Sequence, residues 1–367
     1  MLYLIFNMRY NGTNFKRRNR IMIYFNSDYL EGACPAIMEK LAATNMVQTV
    51  GYGEDEYCAA AREKIKLACE APDADVHFLV GGTQTNTTVI ASVLRPYQGV
   101  LSPVSGHVNC HETGAIESTG HKVLTLPTDN GKITAQQISD YYKWHRFNPD
   151  YEHMVMPGMV YISYPTEGGT LYSKAELTEI YDTCRECGLP LFIDGARLGY
   201  GLTCDACDLT LPELAHLCDI FYIGGTKVGA LFGEAVVVMN PALKRDFRFM
   251  MKQRGGMLAK GRLLGIQFDT LFTDGLYFTI ARHANEMAKQ VHAIFADNGY
   301  RFLFDSPTNQ QYPIMSDAEL AIIGKDFGYE YWERVDAEHS AIRFATSWAT
   351  PQENVDALRR AITALHQ

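Results

Sequence analysis

The chain has no apolar run long enough to cross a bilayer. Its longest purely apolar stretches, such as Ala235–Met239, fall far short of the roughly 20 residues a spanning helix needs. The opening MLYLIFNMRY is too short for a secretory signal, and its basic residues follow the apolar run instead of preceding it. Positive charge is scarce as well: 33 Lys and Arg stand against 42 Asp and Glu, a net charge of −9. Five of the basic residues (Arg9, Lys16, Arg17, Arg18, Arg20) lie in the first twenty, which hold no acid. The rest of the chain therefore carries 28 against 42, or −14. An acidic body argues against general binding to nucleic acid or an anionic membrane. No G-x-G-x-x-G follows any predicted strand, which weighs against a Rossmann dehydrogenase. No Pro/Gly/Ser-rich linker, low-complexity tract or repeat of 20–50 residues interrupts the pattern.

What is present is a globular composition. Hydrophobic residues make up 47% and charged residues 20%, ample for a large core and too little charge bias for disorder. At 367 residues the prior is about two domains. Nine cysteines, an odd number scattered through the chain, read as reduced thiols of a cytoplasmic protein. Residues 1–20 read as a disordered tail or an upstream-start extension, with Met22 as the natural first residue.

Short apolar runs alternate with helical periodicity. Val76–Val80, Met159–Ser163, Leu189–Asp194, Asp219–Ile223 and Glu234–Met239 read as strands. Thr85–Leu94, Ser173–Cys187 and Leu211–Leu217 read as helices, the second opened by a Ser173/Glu176 capping box. Strand, helix, strand in repetition implies an α/β fold with a mainly parallel sheet sandwiched by helices. Helices Tyr277–Asn298 and Pro351–Leu365 and a strand Ala341–Thr346 form a smaller α+β C-terminal domain. The expected organisation is a segment 21–50 packing on both domains, a large domain 51–265 and a small one 266–367.

Ligands in such sheets sit at the C-terminal strand ends. Three of those ends carry chemistry. At Gly81–Asn86 (GGTQTN), two glycines leave a strand and Thr83 precedes a helix. Free N–H groups and the helix dipole make an anion cradle there, though alone the turn is equally a plain connection. At Phe192–Gly199 (FIDGARLG), Asp194 ends an apolar strand. Its carboxylate needs a cationic or N–H partner, either a protonated pyridine nitrogen or, more blandly, an N-cap or Arg197. At Tyr222–Lys227 (YIGGTK), Lys227 follows Asp194 by 33 residues; it is a surface lysine or a desolvated imine-forming one. Cradle, acid and lysine in this order match what pyridoxal 5′-phosphate requires: a phosphate anchor, a partner for the ring nitrogen and an amine for the aldehyde.

With these residues in place, the sequence resembles the threonine aldolase/β-eliminating lyase family of fold-type I pyridoxal-phosphate enzymes. The resemblance runs over about residues 22–350 and rests on FNSD (Phe25–Asp28), GYGED (Gly51–Asp55), GTQTN (Gly82–Asn86), GHVNCHETGAIE (Gly106–Glu117), FIDGARLG, GGTK, RGGMLAKG (Arg254–Gly261) and IRFATSW (Ile342–Trp348). It implies Lys227 as the lysine that holds the cofactor and Asp194 as the partner of the pyridine nitrogen. It implies Gly82 and Thr83 in the phosphate loop and His107 stacked on the ring, with Glu112 at the acidic position after it. Ser27, Arg197 and Arg343 match the groups that hold the substrate carboxylate, where bidentate pairing favours Arg. Tyr52 is expected to reach a neighbouring subunit's site, and Arg254 or Lys260 a neighbour's phosphate. The implied assembly is a homodimer or homotetramer with sites at the interface.

The sequence departs from the family in two places. In Tyr164–Tyr172 (YPTEGGTLY), Glu167 stands where many members have histidine, and Leu258 replaces the arginine of the G-G-M-R segment, with Lys260 two residues on. The implied reaction is retro-aldol cleavage of a β-hydroxy-α-amino acid of the L-threonine or L-allo-threonine type to glycine and an aldehyde. Glu167, His107 or a water between them is the candidate base. The competing reading is a β-eliminating lyase, aminotransferase or racemase on the same fold. A third class, a zinc-binding module, rests on Cys184-x-x-Cys187 and Cys204-x-x-Cys207, sixteen residues apart. The first pair ends a helix and the second lies past the far end of the strand Leu189–Asp194, so no metal site is assigned.

Overall fold

The computed structural model describes residues 22–366, and the tail expected over 1–20 lies outside them. Seven strands form one sheet: β1 (Asp75–Leu79), β2 (Gln98–Pro103), β3 (Val123–Leu126), β4 (Met156–Ser163), β5 (Leu191–Asp194), β6 (Ile220–Gly224) and β7 (Glu234–Val238). Their spatial order is β1-β7-β6-β5-β4-β2-β3. Neighbours are parallel except β7, which runs antiparallel to both β1 and β6. Chain length explains the exception. Only residues 225–233 separate β6 from β7, and parallel neighbours need a crossover of about a dozen residues or more. Other connections carry helices, among them Gly82–Val93 between β1 and β2 and Lys174–Cys187 between β4 and β5.

Side chains alternate across the sheet. Val160, Ile162, Leu191, Ile193, Phe221 and Ile223 enter one core, while Met159, Tyr161, Phe192, Ile220 and Tyr222 enter the other. Both faces are covered, as a parallel sheet requires. The Ser173/Glu176 capping box forms as read from sequence.

Several boundaries differ from expectation: the strand read as Met159–Ser163 begins at Met156, and the one read as Ala341–Thr346 runs His339–Ala345. The helix after β1 begins at Gly82 and not Thr85, so Thr83 lies inside its first turn. Extended Gly81 is its N-cap, and the Thr85 N–H donates to the Gly81 carbonyl at 3.0 Å. The strand ending in Asp194 begins at Leu191 and not Leu189. Gly188, at φ +67°, ends the preceding helix, and the Leu189 N–H still donates to Cys184 O at 2.8 Å.

The helix Leu276–Asp297 ties the C-terminal part to the sheet. Tyr277, Ala281 and Ala284 join the first core; Met287, Val291, Ile294 and Phe295 join a third, with Ile342, Phe344, Val355 and Leu358. The third core packs against an antiparallel sheet of Ile314–Ser316, His339–Ala345 and Glu330–Arg334. The N-terminal segment reaches both: Phe25 lies in the third core, Cys34 and Ile37 in the first. The helix Arg262–Leu271 spans the expected boundary at 265/266 and buries Leu264, Phe268 and Leu271 in the first core.

Candidate functional site

The parallel strands bring five loops to one edge of the sheet. Gly82 follows β1, His107 follows β2, Glu167 follows β4, Asp194 ends β5 and Lys227 follows β6. A cavity of about 390 Å³ opens there, with Ser27, His107, Glu167, Arg197, Lys227 and Arg343 in its wall. Six of the residues singled out in the sequence thus meet in one space.

Asp194 lies beneath this cavity, 4% exposed. Its register partner on β4 is Ser163, and Tyr161, two residues back along β4, pairs with Phe192 and reaches forward to the acid with its long side chain. Tyr222 Oη donates to Oδ1 at 2.5 Å and Tyr161 Oη to Oδ2 at 2.6 Å. The Ala196 N–H reaches Oδ1 at 3.0 Å and Asn86 Nδ2 reaches Oδ2 at 3.1 Å. Burial alone would raise the Asp194 pKa; the His107 charge and the two phenols hold it below the ordinary carboxylate range. These donors occupy its roughly four acceptor positions, so a pyridinium partner would have to take the place of one of them.

Asn86 was quoted in a motif but not singled out as a site residue. It is fully buried, and its amide bridges two acids, Asp194 and Glu112, the second at 2.7 Å. Glu112 Oε1 lies 2.8 Å from His107 Nδ1, so a continuous polar chain runs from His107 to Asp194. Such a side chain in the polar run Thr83–Thr88 looks like the ordinary polar start of a helix. Only the two buried carboxylates, brought in by other loops, reveal its work.

Glu167 accepts from Ser163 Oγ at 2.6 Å and from the His107 N–H at 2.9 Å, both on Oε1. Its Oε2 is buried with no hydrogen-bond partner among the described residues. Burial raises its pKa, the Ser163 hydroxyl opposes the rise, and the Asp194 charge adds to it. Lys227 makes no side-chain hydrogen bond among the described residues. Burial and the Arg197 charge bring its amine down to about 8, against the pull of Asp28, Asp194 and Glu234.

Arg197 has a partner that sequence reading did not assign. Its Nε and Nη2 donate to Asp28 at 2.7 and 3.0 Å, a bidentate pair that leaves Nη1 for a ligand. Asn309 Nδ2 completes the cluster at 2.9 Å from Asp28. Burial opposes ionisation of Asp28, yet Arg197, Lys227 and Asn309 bring its pKa down to about 2. Arg343 donates to the Asn26 carbonyl at 2.8 Å and to Gln310 Oε1 at 3.2 Å. Arg343 Nε and Ser27 Oγ are buried polar atoms without hydrogen-bond partners among the described residues. The cavity wall also includes His111 and Trp332, neither foreseen as a site residue; the Trp332 ring lies 5.9 Å from the Arg343 guanidinium carbon.

The residues present fit pyridoxal phosphate. Lys227 opens into the cavity, and the ionised acid lies below it. The first turn of the helix Gly82–Val93 leaves N–H groups without helical partners. A Cβ at Gly82 would come within 3.2 Å of Tyr222 Oη, the hydroxyl that binds Asp194, so glycine keeps this cradle open. Gln84 Nε2 donates to the Arg254 carbonyl at 3.1 Å, and Arg254 Nε is a buried polar atom without a hydrogen-bond partner among the described residues. Gly82, Thr83 and Arg254 are therefore neighbours, although none lines the cavity itself. Tyr52 and Lys260 stay exposed, and neither lines the cavity. Tyr52 pairs through its N–H with the Ala259 carbonyl at 3.3 Å.

The Cys184/Cys187 and Cys204/Cys207 pairs lie away from this edge as free thiols, with Tyr164 Oη 3.3 Å from Cys207 Sγ.

Comparison with known proteins adds a family. Residues 25–318 match the model of the beta-eliminating lyases. A low specificity L-threonine aldolase of a Pseudomonas species is 31% identical over 346 residues, spanning 93% of this chain and 97% of that protein. Its counterpart in Pseudomonas aeruginosa is 30% identical over 341 residues, 92% and 96% of the two chains. The solved threonine aldolase of Leishmania major superposes with a TM-score of 0.91 at 43% identity, covering 94% of this chain and all of that one. An aspartate aminotransferase of Thermus thermophilus, at 12% identity and a TM-score of 0.66 over 94% and 91% of the two chains, shares the fold alone.

Proposed function

Since the chain belongs to the beta-eliminating lyase family, in its threonine aldolase branch, we propose that it cleaves a β-hydroxy-α-amino acid, L-threonine or L-allo-threonine, to glycine and an aldehyde. The observation that carries this reading is one cavity shared by Lys227, the carboxylate-binding pair Ser27 and Arg343, and an unpartnered acid oxygen on Glu167.

When bound, pyridoxal phosphate supplies the aldehyde that Lys227 and the substrate amine hold in turn, and a protonated ring that accepts the electron pair released at Cα. The protein's own residues do the rest. Arg343 and Ser27, with unpartnered atoms in the wall, take the substrate carboxylate, and Arg197 Nη1 adds a third donor. This fixes which Cα bond faces the ring. Glu167 Oε2 takes the β-hydroxyl proton as Cα–Cβ breaks; the hydroxyl oxygen becomes the aldehyde carbonyl, and a proton returns to Cα from Lys227. A carboxyl with a raised pKa is the stronger base once ionised, so cleavage rises with pH through the Glu167 titration. His107, held through Nδ1 by Glu112, is the residue that would cover the ring. The eliminating, aminotransferase and racemase alternative is not favoured: the relatives that are at least 30% identical over nine-tenths of the chain are threonine aldolases, while the aspartate aminotransferase shares the fold at 12% identity.

The test is incubation of the purified protein with L-threonine, L-allo-threonine and phenylserine. Glycine and the matching aldehyde are the expected products, whereas pyruvate or ammonia would refute the reading. Lys227→Ala removes the visible band of the lysine-bound cofactor. Glu167→Gln lowers kcat by about 10²–10⁴-fold with a smaller change in KM, and flattens the acidic limb of the kcat profile.

We also propose a cytoplasmic homodimer or homotetramer with its sites at the subunit interface. All nine cysteines are free thiols, and among the described residues no helix is long and apolar enough to cross a membrane. Met46, Val50, Tyr52 and Phe249 leave apolar surface exposed. Light scattering on the eluting protein distinguishes these assemblies from a monomer.

A further inference from the structure

Glu234 is a buried acid that the cleavage chemistry does not use. It opens β7, whose other residues are Ala, Val, Val and Val, and it is 4% exposed. A carboxyl in such a strand is costly unless it is partnered. Its partners lie in the loop that presents Lys227. Oε2 accepts the Gly225 N–H at 3.1 Å, and Oε1 accepts the Thr226 hydroxyl at 2.8 Å. Thr226 Oγ1 in turn accepts the Gly233 N–H at 3.0 Å, and the Gly225 and Thr226 N–H groups both reach the Gly233 carbonyl. Glu234 thus grips the two residues before Lys227 while lining no part of the cavity.

We infer that Glu234 is a positioning residue: it clamps the Gly225–Thr226 turn behind Lys227 and, once ionised, supplies a negative charge that holds the proton on the Lys227 nitrogen. The proposal rests on Lys227 holding the cofactor. The charged groups acting on Lys227 are Arg197, Asp28, Asp194 and Glu234; those acting on Glu234 are Lys227 and Asp194. The phenols of Tyr222 and Tyr277 also feel the Glu234 charge. Burial pushes Glu234 up to about 8, into the range where Lys227 titrates, so the two exchange charge over the same pH interval. A merely structural Glu234 needs only an acceptor for the loop, which a glutamine supplies. A charge-bearing one needs the carboxylate.

The test compares wild type with Glu234→Gln, Glu234→Asp and Thr226→Val, all without amino-acid substrate. One reading is the midpoint pH of the visible band of the cofactor-loaded protein. The other, after the cofactor is stripped, is the pH dependence of Lys227 labelling by an amine-reactive reagent, followed by peptide mass spectrometry. Loss of the anion lowers the Lys227 midpoint by about one unit in Glu234→Gln. Glu234→Asp, which keeps the charge, stays near wild type. Thr226→Val, which removes one donor from the carboxylate, moves the midpoint the same way by less, and it carries the test if Glu234→Gln does not fold. Midpoints that coincide in wild type and Glu234→Gln, or in wild type and Thr226→Val where only that variant folds, overturn the proposal. So does a shift in Glu234→Asp as large as in Glu234→Gln. Because no substrate is present, a failure of aldol cleavage leaves these readings intact. A protein without the visible band refutes the cofactor reading and still reports on Glu234 through labelling.

Discussion

Single side chains in this site are fixed by what they are denied as much as by what they touch. Asn86 gives both of its amide hydrogens to carboxylates, and neither Glu112 nor Asp194 has bulk water to fall back on. Asn86→Ala removes one donor from each acid and should cost about 1–3 kcal/mol of stability per unsatisfied group. Asn86→Asp is worse, since it sets a third carboxyl between two others. A melting series in which Asn86→Asp is no less stable than Asn86→Ala would contradict this account. Of the candidate groups, Lys227 and Asp194 were legible at their strand ends when taken together with the glycine turn at Gly81–Gly82. Ser27 and Arg343 were legible only through the family resemblance, since Ser27 lies in the N-terminal segment and Arg343 inside the strand His339–Ala345. The partners that Asp28 and Asn86 supply were not legible, because each is made by segments far apart in the chain: Asp28 meets Arg197 across 169 residues and Asn309 across 281.

At the level of strands and their loops, backbone contact sets the tolerance. Gly195 follows Asp194 directly, and a Cβ there would stand 1.9 Å from the Tyr222 carbonyl oxygen. That clash is with backbone of the neighbouring strand, so no rotamer relieves it. Gly195→Ala is expected to lower Tm by more than about 10 °C or to prevent accumulation of folded protein. Gly188→Ala, whose added Cβ meets nothing within 4 Å, is limited to the milder strain of its positive φ, and thermal melts of the two check the contrast. The strands were readable from their apolar runs, and the capping box fixed a helix start to the residue. Two starts were misplaced: the helix begins directly after Gly81, whose extended backbone any residue could adopt, and the strand begins only after Gly188 has closed the preceding helix at positive φ and Leu189 has made its last hydrogen bond to Cys184. The reversal of β7 was implicit in the shortness of the loop before it, a signal that apolar patterning ignores.

Over the whole molecule, the Asp28–Arg197 pair joins the N-terminal segment to the sheet and, through Asn309, to the C-terminal part. Its contribution to stability has a definite sign with pH. The Asp28 pKa is depressed from 3.8 to about 2 in the folded protein, so the stabilisation is fully present above about pH 4 and is lost as pH falls through about 2. The size of the shift corresponds to about 2 kcal/mol. Asp28→Asn should therefore melt well below wild type at neutral pH, with the difference closing as both are titrated toward about pH 2. A gap of constant size across that interval would contradict the assignment. The layered architecture was legible from strand and helix alternation. The fastening of three separate stretches of chain through one acid was not, since it depends on tertiary packing alone.

The same arrangement bears on biosynthesis. Arg343 hydrogen-bonds the Asn26 carbonyl, the Ala345 N–H donates to the Phe25 carbonyl, and Ser27 shares a wall with Arg343. The proposed carboxylate site is stitched from two stretches of chain 317 residues apart. A nascent polypeptide still held at the ribosome before Arg343 emerges has its sheet in hand and lacks the guanidinium that would seat an amino acid.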